Sequence, residues 1–311
     1  MPTGNFIVSD LAAYVQQNRD LILKNLGLIG EGTRRRMGIQ TGIKSKAALN
    51  YFEIDPVLQS GAECGFDAAG TATLTQRDIE VAAMKVNMEI CPKNLLGTYA
   101  EYLVRLNAFA EELPFEQYVV DGIIRSINEK IEKAIWQGDT ASLDTDLNHF
   151  DGILKLADAE ADVIDVAIAS GTTAYEGIKQ VYMALPAEAL KRGASISVAP
   201  EIFRLFMMEM VEKNFYHYSG PQDENRNDFV FPGTNVKVVS TEGLAGSLKI
   251  VGTFDRNLVY GTDMEGDMED VKIWFSDDDD VVKIKVLWTS GVQFAFPNLL
   301  VLGTFAARPT A

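Results

Sequence analysis

The stretch PFEQYVVDGIIRSINEKIEKAIWQGD, residues Pro114–Asp139, decides the fold more than any other part of the sequence. Its apolar residues recur at a period of about 3.6, which predicts an amphipathic helix with one apolar stripe. Pro114 suits the first helical position, and Gly138 stands where a helix commonly ends. We expect this helix to lie across a sheet as a spine. The stripe comprises Phe115, Tyr118, Val119, Gly122, Ile123, Ile127, Ile131, Ala134 and Ile135.

Composition narrows the class of protein. The chain has 311 residues, 47% of them apolar, which is ordinary for a globular protein with one large domain or two smaller ones. The net charge of −16 argues against a protein that grips nucleic acid over its whole surface. No apolar run approaches the roughly 20 residues of a membrane span, and the N-terminus lacks the pattern of a secretory signal. Cys64 and Cys91 are the only cysteines, so reduced thiols in a cytoplasmic setting are expected.

The first fifth of the chain reads as a helix followed by a basic arm. Ser9 to Leu26 has a helical stripe, and the text from Gly32 to Phe52 contains five basic residues and no acid. In a chain this acidic, such a block suits a solvated arm or a segment lying on the acidic surface of another copy. The basic residues are Arg34, Arg35, Arg36, Lys44 and Lys46.

Extended structure is predicted from Thr73 to Cys91. Ile79 and Val81 alternate in one phase, then Met84, Val86 and Met88 take over in the other. The slip near Ala83 indicates a bulge or bend between strands. Because an isolated hairpin is marginal in water, we expect these arms to be stabilised by a neighbouring subunit.

The rest of the chain predicts an α+β architecture with an antiparallel C-terminal sheet. Helices are expected at Leu95 to Ala110, after the capping pair Thr173 and Glu176 as far as Pro186, and from Pro200 onward. The dipeptide Ser290-Gly291 is expected to turn the chain between two strands. The predicted strands are Ser195–Ala199, Val236–Ser240, Leu248–Phe254, Val271–Phe275, Val282–Thr289 and Val292–Val301.

Few residues could carry chemistry. His149 and His217 have no partner at metal-ligand spacing, and the glycines from Gly27 to Gly32 lack the Gly-Lys-Ser/Thr ending of a phosphate loop. We therefore predict neither an enzyme nor a bound cofactor. One alternative stays open, a metal-dependent enzyme whose carboxylates between residues 263 and 270 bind calcium or magnesium. Those carboxylates are Asp263, Glu265, Asp267, Glu269 and Asp270.

The order of several short motifs resembles the major capsid proteins of tailed phages, which have the Hong Kong 97-type fold. The spine ends in Ala134–Asp139 (AIWQGD) and is followed by Phe150–Ile153 (FDGI). The resemblance covers most of the chain and depends on order rather than on any single motif. The other motifs are Gln59–Gly61, Cys64–Phe66, Leu74–Arg77, Cys91–Leu95, Phe231–Gly233 and Gly261–Asp263.

The resemblance implies a phage capsid fold in four parts. These are an N-terminal arm at 1–66, an extended hairpin called the E-loop at 67–93, a peripheral domain at 94–151 and 253–311, and an axial domain at 152–252. The spine helix at 114–137 belongs to the peripheral domain, to which the C-terminal strands are expected to return. Copies would assemble into hexamers and pentamers of an icosahedral shell that encloses double-stranded DNA.

The resemblance also implies partners and a location. Portal, scaffolding or decoration proteins are expected as partners, with no membrane, and the chain would be made in the host cytoplasm and end in the virion. An encapsulin-type protein compartment is an alternative with the same fold. The candidate subunit-interface residues are Arg34, Arg35, Arg36, Lys44, Lys46, Lys85, Asn87 and Glu89. The candidate structural-motif residues are Trp136, Gly138, Asp139, Phe150, Asp151 and Gly152.

Overall fold

The computed structural model describes residues 32–58, 69–90, 115–214, 228–263, 270–276, 278 and 281–309. The class is mixed α+β, as predicted. The α-helices within these residues are α1 (Phe115–Gln137), α2 (Ile153–Ala159), α3 (Ala174–Ala184), α4 (Ala187–Lys191) and α5 (Pro200–Glu212). Short 3-10 turns lie at Gly32–Arg36, Glu242–Leu244 and Pro297–Leu299.

The strands fall into three sheets. In chain order they are β1 (Gly38–Gln40), β2 (Lys46–Pro56), β3 (Gly70–Glu80), β4 (Ala82–Ile90), β5 (Ile164–Ile168), β6 (Ala194–Val198), β7 (Asp228–Val230), β8 (Lys237–Ser240), β9 (Lys249–Phe254), β10 (Leu258–Gly261), β11 (Asp270–Ser276), β12 (Val281–Phe294) and β13 (Val301–Phe305). One sheet has five strands, one has six, and β2 and β3 form a separate hairpin.

The spine helix α1 is confirmed, from Phe115 to Gln137. Ile127, Ile131 and Ile135 of its predicted stripe are 4%, 2% and 0% exposed. Burying an isoleucine side chain fully is worth about 1.5–3 kcal/mol, so this stripe anchors the helix. The buried face packs on α2 and on the turn Glu242–Leu244.

The five-stranded sheet is built around β12, which has 14 residues. Its N-terminal half lies between β4 and β11, and its C-terminal residues pair with β10, which in turn pairs with β1. The predicted alternation is confirmed, since the side chains of Val282, Ile284 and Val286 are buried while their neighbours are partly exposed. In this half of β12 one face therefore lies on the core and the other is partly open to solvent, whereas the residues from Trp288 to Phe294 are all buried.

The predicted turn at Ser290-Gly291 is wrong, because β12 runs straight through both residues. A Cβ atom at Gly291 would lie 2.0 Å from the carbonyl oxygen of Glu80. The glycine is there because the backbone between β3 and β4 crosses close to β12, which a side chain would prevent.

The six-stranded sheet has the order β5-β13-β9-β6-β8-β7. Every residue of the central strand β6 is buried. Helix α3 lies on this sheet, and its N-cap Thr173 accepts a hydrogen bond from the backbone N–H of Glu176, as the capping pair predicted. The C-terminal strand β13 also belongs here, beside β5 and β9, because the turn Pro297–Leu299 redirects the chain after β12. The other C-terminal strands, β10 to β12, lie in the five-stranded sheet.

The long hairpin differs in position from the one placed at Asp67–Lys93. It is formed by β2 and β3, in a register that runs from Lys46 opposite Glu80 to Pro56 opposite Gly70. Strand β4 belongs instead to the five-stranded sheet, paired with β12. The phase slip in the sequence marks this change of partner, because Ile79 and Met84 are both buried but on strands with different neighbours.

Several expectations lie outside the described residues. These include the helices predicted at Ser9 to Leu26 and Leu95 to Ala110, and the motifs around Cys64 and Cys91. Within the described residues, no helix is both long and apolar enough to cross a membrane.

Candidate subunit-interface site

The turn Gly32–Arg36, here called the N-terminal turn, is fastened to the spine helix. The Thr33 backbone N–H donates to Glu132 Oε1 at 3.2 Å, and the Thr33 hydroxyl donates to the same oxygen. The indole Nε1 of Trp136 donates to Thr33 Oγ1 at 2.8 Å. Trp136 is 0% exposed and Thr33 1%, so this network lies in the interior.

Two arginines of the predicted interface set serve the subunit's own fold. Arg34 is 1% exposed, and its Nη2 donates to Asn128 Oδ1 at 2.7 Å. Arg36 reaches the six-stranded sheet, where Nη1 donates to Ser195 Oγ and Nη2 to Ser197 Oγ, each at 3.2 Å. Burial lowers the pKa of Arg36, while the nearby carboxylate of Asp255 opposes that shift. The N-terminal turn thus joins the spine helix to the six-stranded sheet.

Glu132 is the acid at the centre of this junction. Burial raises the pKa of its carboxyl group, and the hydrogen bonds from Thr33 partly oppose that shift. In the described part of the chain, the second oxygen, Oε2, is buried without a hydrogen-bond partner. An ionised carboxylate with one unsatisfied oxygen is costly in such a place.

The predicted structural motif after the spine is brought together at one point. Gly138 and Gly152 meet closely, since a Cβ atom at Gly152 would lie 2.6 Å from the backbone nitrogen of Gly138. Gly152 N donates to Gly138 O at 2.9 Å. Phe150 is buried beside them, 6% exposed, and Trp136 precedes them on the helix. The absence of a side chain at both glycines lets the two ends of the loop between α1 and α2 meet closely.

The two aspartates of this motif share one lysine. Lys155 Nζ lies 2.6 Å from Asp139 Oδ1 and 2.8 Å from Asp151 Oδ1. The hydrogen bond from Lys155 lowers the pKa of Asp139. For Asp151, burial alone would raise the pKa, but hydrogen bonds from Lys155 and Thr140 outweigh it, and the pKa falls. The network holds the loop between α1 and α2.

The remaining interface candidates lie on the surface. Arg35 and Lys44 are exposed, and Lys46 is bound at the hairpin base, 2.9 Å from Asp78 and 3.2 Å from Glu80. The hydrogen bond to Asp78 raises the pKa of Lys46. Another three candidates, Lys85, Asn87 and Glu89, line up on the solvent face of β4.

Sequence reasoning missed Arg77, which holds the hairpin to the body of the subunit. Its Nη2 lies 2.7 Å from Glu160 Oε2, just beyond α2, and its guanidinium lies 4.7 Å from the ring centre of Phe294. Beside it, Gln293 Nε2 donates to the backbone oxygen of Asp78 at 3.0 Å. The only sequence signal was that Arg77 ends the motif Leu74–Arg77.

A polar cleft of about 980 Å³ opens where the N-terminal turn, the spine helix and the six-stranded sheet meet. Its lining has both signs of charge and includes Arg125, Lys133, Asp228 and Glu242. Among the described residues, no group of three or more His, Cys, Asp or Glu side chains is placed to hold a metal ion. Of the acids proposed as metal ligands, Asp263 is 2% exposed and forms no ion pair with any described residue. Residues 264–269 lie outside the described residues.

No protein-family model matches this sequence, and no curated protein does. Solved structures do. The chain is similar to the procapsid of satellite phage P4 including the size determination (Sid) protein, with a TM-score of 0.61 and 11% identity over 94% of this chain and 100% of that chain. The chain is also similar to the capsid of an empty GTA particle, with a TM-score of 0.57 and 14% identity over 89% of this chain and 90% of that chain.

A third similar structure is the capsid of Ralstonia phage GP4, with a TM-score of 0.51 and 10% identity over 89% of this chain and 88% of that chain. In each case the similarity covers most of both chains. The chain therefore has the fold of phage capsid proteins, the Hong Kong 97-type fold.

Proposed function

We propose that this chain is a major capsid protein, whose copies assemble into hexamers and pentamers of an icosahedral shell around double-stranded DNA. The observation that carries the proposal is the extent of the structural similarity. It covers 94% of this chain and 100% of the procapsid neighbour, rather than one domain of either. On this proposal the role is structural, without catalysis.

The hairpin supports an assembling subunit. Its strands have 11 residues each, so it extends roughly 35 Å. Beyond β2, the element that β3 contacts most is β12, at the hairpin base. Because a two-stranded hairpin is marginal in water, a neighbouring copy is the natural support for its outer part.

The exposed candidates supply the contacts in this proposal. Arg35, Lys44, Lys85, Asn87 and Glu89 lie on the surface, where they can pair with another copy. The net charge of −16 makes basic surface residues complementary to most of a neighbour's surface. Arg34 and Arg36 are left out of the proposed interface because they bind inside the subunit.

Further partners belong to the same proposal. A shell that packages DNA needs a portal, and scaffolding or decoration proteins would assist assembly. The subunit would be made in the host cytoplasm and reside in the virion. An encapsulin-type compartment shares the fold, and particle contents separate the two, since packaged DNA supports the capsid and a protein cargo supports the compartment.

A shortened hairpin tests the proposal. Leu49 lies opposite Arg77 in the register, so residues 50–76 can be replaced by an Asn-Gly turn that closes the remaining hairpin. We expect a subunit with unchanged circular dichroism and melting temperature that no longer forms closed particles in electron micrographs. Normal particles from this variant would show that the hairpin does not connect subunits.

A further inference from the structure

The base of the hairpin is braced from two sides. On one side it rests on the C-terminal end of β12, where Gly291 allows the backbone at Glu80 to approach and Gln293 binds the backbone of Asp78. On the other side, Arg77 spans from β3 to Glu160 at the end of α2. Of these contacts, the Arg77–Glu160 pair is the one between two side chains, so it can be removed without altering a backbone.

This pair is well placed to fix the direction of the hairpin. The carboxylate holds the Arg77 guanidinium over the ring of Phe294, which defines the position of the side chain by charge and by the ring face. The two side chains are 18% and 28% exposed, so solvent screens the pair only in part. Arg77 lies three residues before the end of β3, close to the point where the hairpin leaves the sheet.

The length of the hairpin amplifies any change at its base. On a lever of roughly 35 Å, a rotation of about 10° moves the tip by roughly 6 Å. A displacement of that size exceeds the length of a hydrogen bond, so a contact formed at the tip is lost or moves to another residue. A small contact at the base therefore controls which contacts the tip can make.

We propose that Arg77 and Glu160 are positioning residues that set the angle of the hairpin and thereby the curvature of the assembled particle. The proposal rests on the proposed shell function, because curvature has a meaning only if copies assemble. The partner that the tip of the hairpin contacts is a second copy of this chain. The brace itself belongs to the single subunit and can be measured there.

The first test measures the hairpin angle in the unassembled subunit. Spin labels are placed at Leu58, which follows the outer end of β2 and is 98% exposed, and at Lys133, which is exposed on the spine helix. Cys64 and Cys91 are replaced by serine in this background. We expect the distance distribution between the labels to be at least twice as wide in Glu160→Gln as in the parent. An unchanged distribution would overturn the brace, whether or not particles form.

The second test measures the particles. We expect Glu160→Gln to keep the parent's melting temperature while the fraction of particles with the parent's diameter falls at least twofold. The matched control is Asp146→Asn, which breaks an exposed ion pair to Lys130 of the spine helix and leaves the Arg77–Glu160 pair intact, and its particles should match the parent. If the particles of Glu160→Gln have the parent's diameter in the parent's proportion, the link to curvature is overturned. If the parent itself forms no particles, the shell function fails, and the label distances still decide the brace.

Discussion

At the scale of single residues, the hydroxyl group of Thr33 connects two parts of the spine helix. It donates to Oε1 of the Glu132 carboxylate and accepts from the Trp136 indole, so one side chain binds two polar groups of the helix. Buried indole nitrogens usually require such a partner. Thr33 and Arg34 of the N-terminal turn are therefore part of the core, although the sequence suggested a solvated arm or a segment lying on another copy.

We predict that Trp136→Ala lowers the free energy of unfolding by about 3–5 kcal/mol, because it opens a cavity in the core. Trp136 is 0% exposed, and its loss also leaves Thr33 without a donor. The control is Trp274→Ala on β11, where the tryptophan is 43% exposed. This variant should lower the free energy of unfolding far less. Denaturant unfolding of both variants gives the comparison, and equal costs would contradict the buried role of Trp136.

We predict that Glu132→Gln stabilises the subunit by about 1 kcal/mol at pH 7, because it removes a buried charge whose Oε2 lacks a donor. Since burial raises the folded-state pKa above the ordinary 4.5, the stabilising contribution of the protonated acid is present below pH 4.5 and is lost as pH rises through the folded-state pKa. The difference in free energy of unfolding between the variant and the parent should therefore increase in favour of the variant as pH rises across that window.

The control for this prediction is Glu129→Gln, an exposed acid on the same helix, whose effect should stay small at every pH. Urea unfolding at a series of pH values measures both variants. A Glu132→Gln protein that is less stable than the parent at pH 7 would mean that the hydrogen bonds from Thr33 require the full carboxylate charge.

The contacts of this junction were beyond sequence reasoning for a physical reason. Thr33 and Glu132 are 99 positions apart, and no local pattern reports a pairing across that separation. Trp136 was singled out because its motif resembled a known family, and Gly138 for that reason and as the end of the helix, but neither signal pointed to Thr33. Local periodicity predicts which face of a helix is buried, not which residue covers it.

At the scale of elements, the strands were predicted better than their partners. The spine helix followed from an apolar stripe sustained over many turns, which is the strongest local signal available. The hairpin was predicted at the wrong position because β2 and β3 pair through backbone groups. The side chains of one strand do not indicate which other strand it pairs with. Ser290-Gly291 has the composition of a turn, yet Gly291 is needed for a close crossing of backbones.

Two glycine substitutions test that interpretation. We predict that Gly291→Ala destabilises the subunit by about 1–3 kcal/mol, since the new methyl group would overlap Glu80 O. Gly122 was predicted in the apolar stripe but is exposed, and no described residue lies within 4 Å of the Cβ position. Gly122→Ala should therefore stabilise the subunit by about 0.5–1 kcal/mol through helix propensity. Thermal unfolding measures both, and a Gly291→Ala protein as stable as the parent would restore the turn interpretation.

At the scale of the whole molecule, the chain crosses repeatedly between its two large sheets. The N-terminal turn reaches β6 through Arg36, and the C-terminal strand β13 joins the six-stranded sheet directly after β12 leaves the other. Such connections tie the two sheets into one subunit. The hairpin of β2 and β3 belongs to neither sheet, and for this reason we assign it the role of joining copies.

The most direct test of the shell function is to purify the full chain and examine it by light scattering and electron microscopy over a range of concentrations. The account predicts hexamers and pentamers that progress to closed shells as concentration rises. A single small oligomer, or a monomer, that keeps the same mass at every concentration would contradict it.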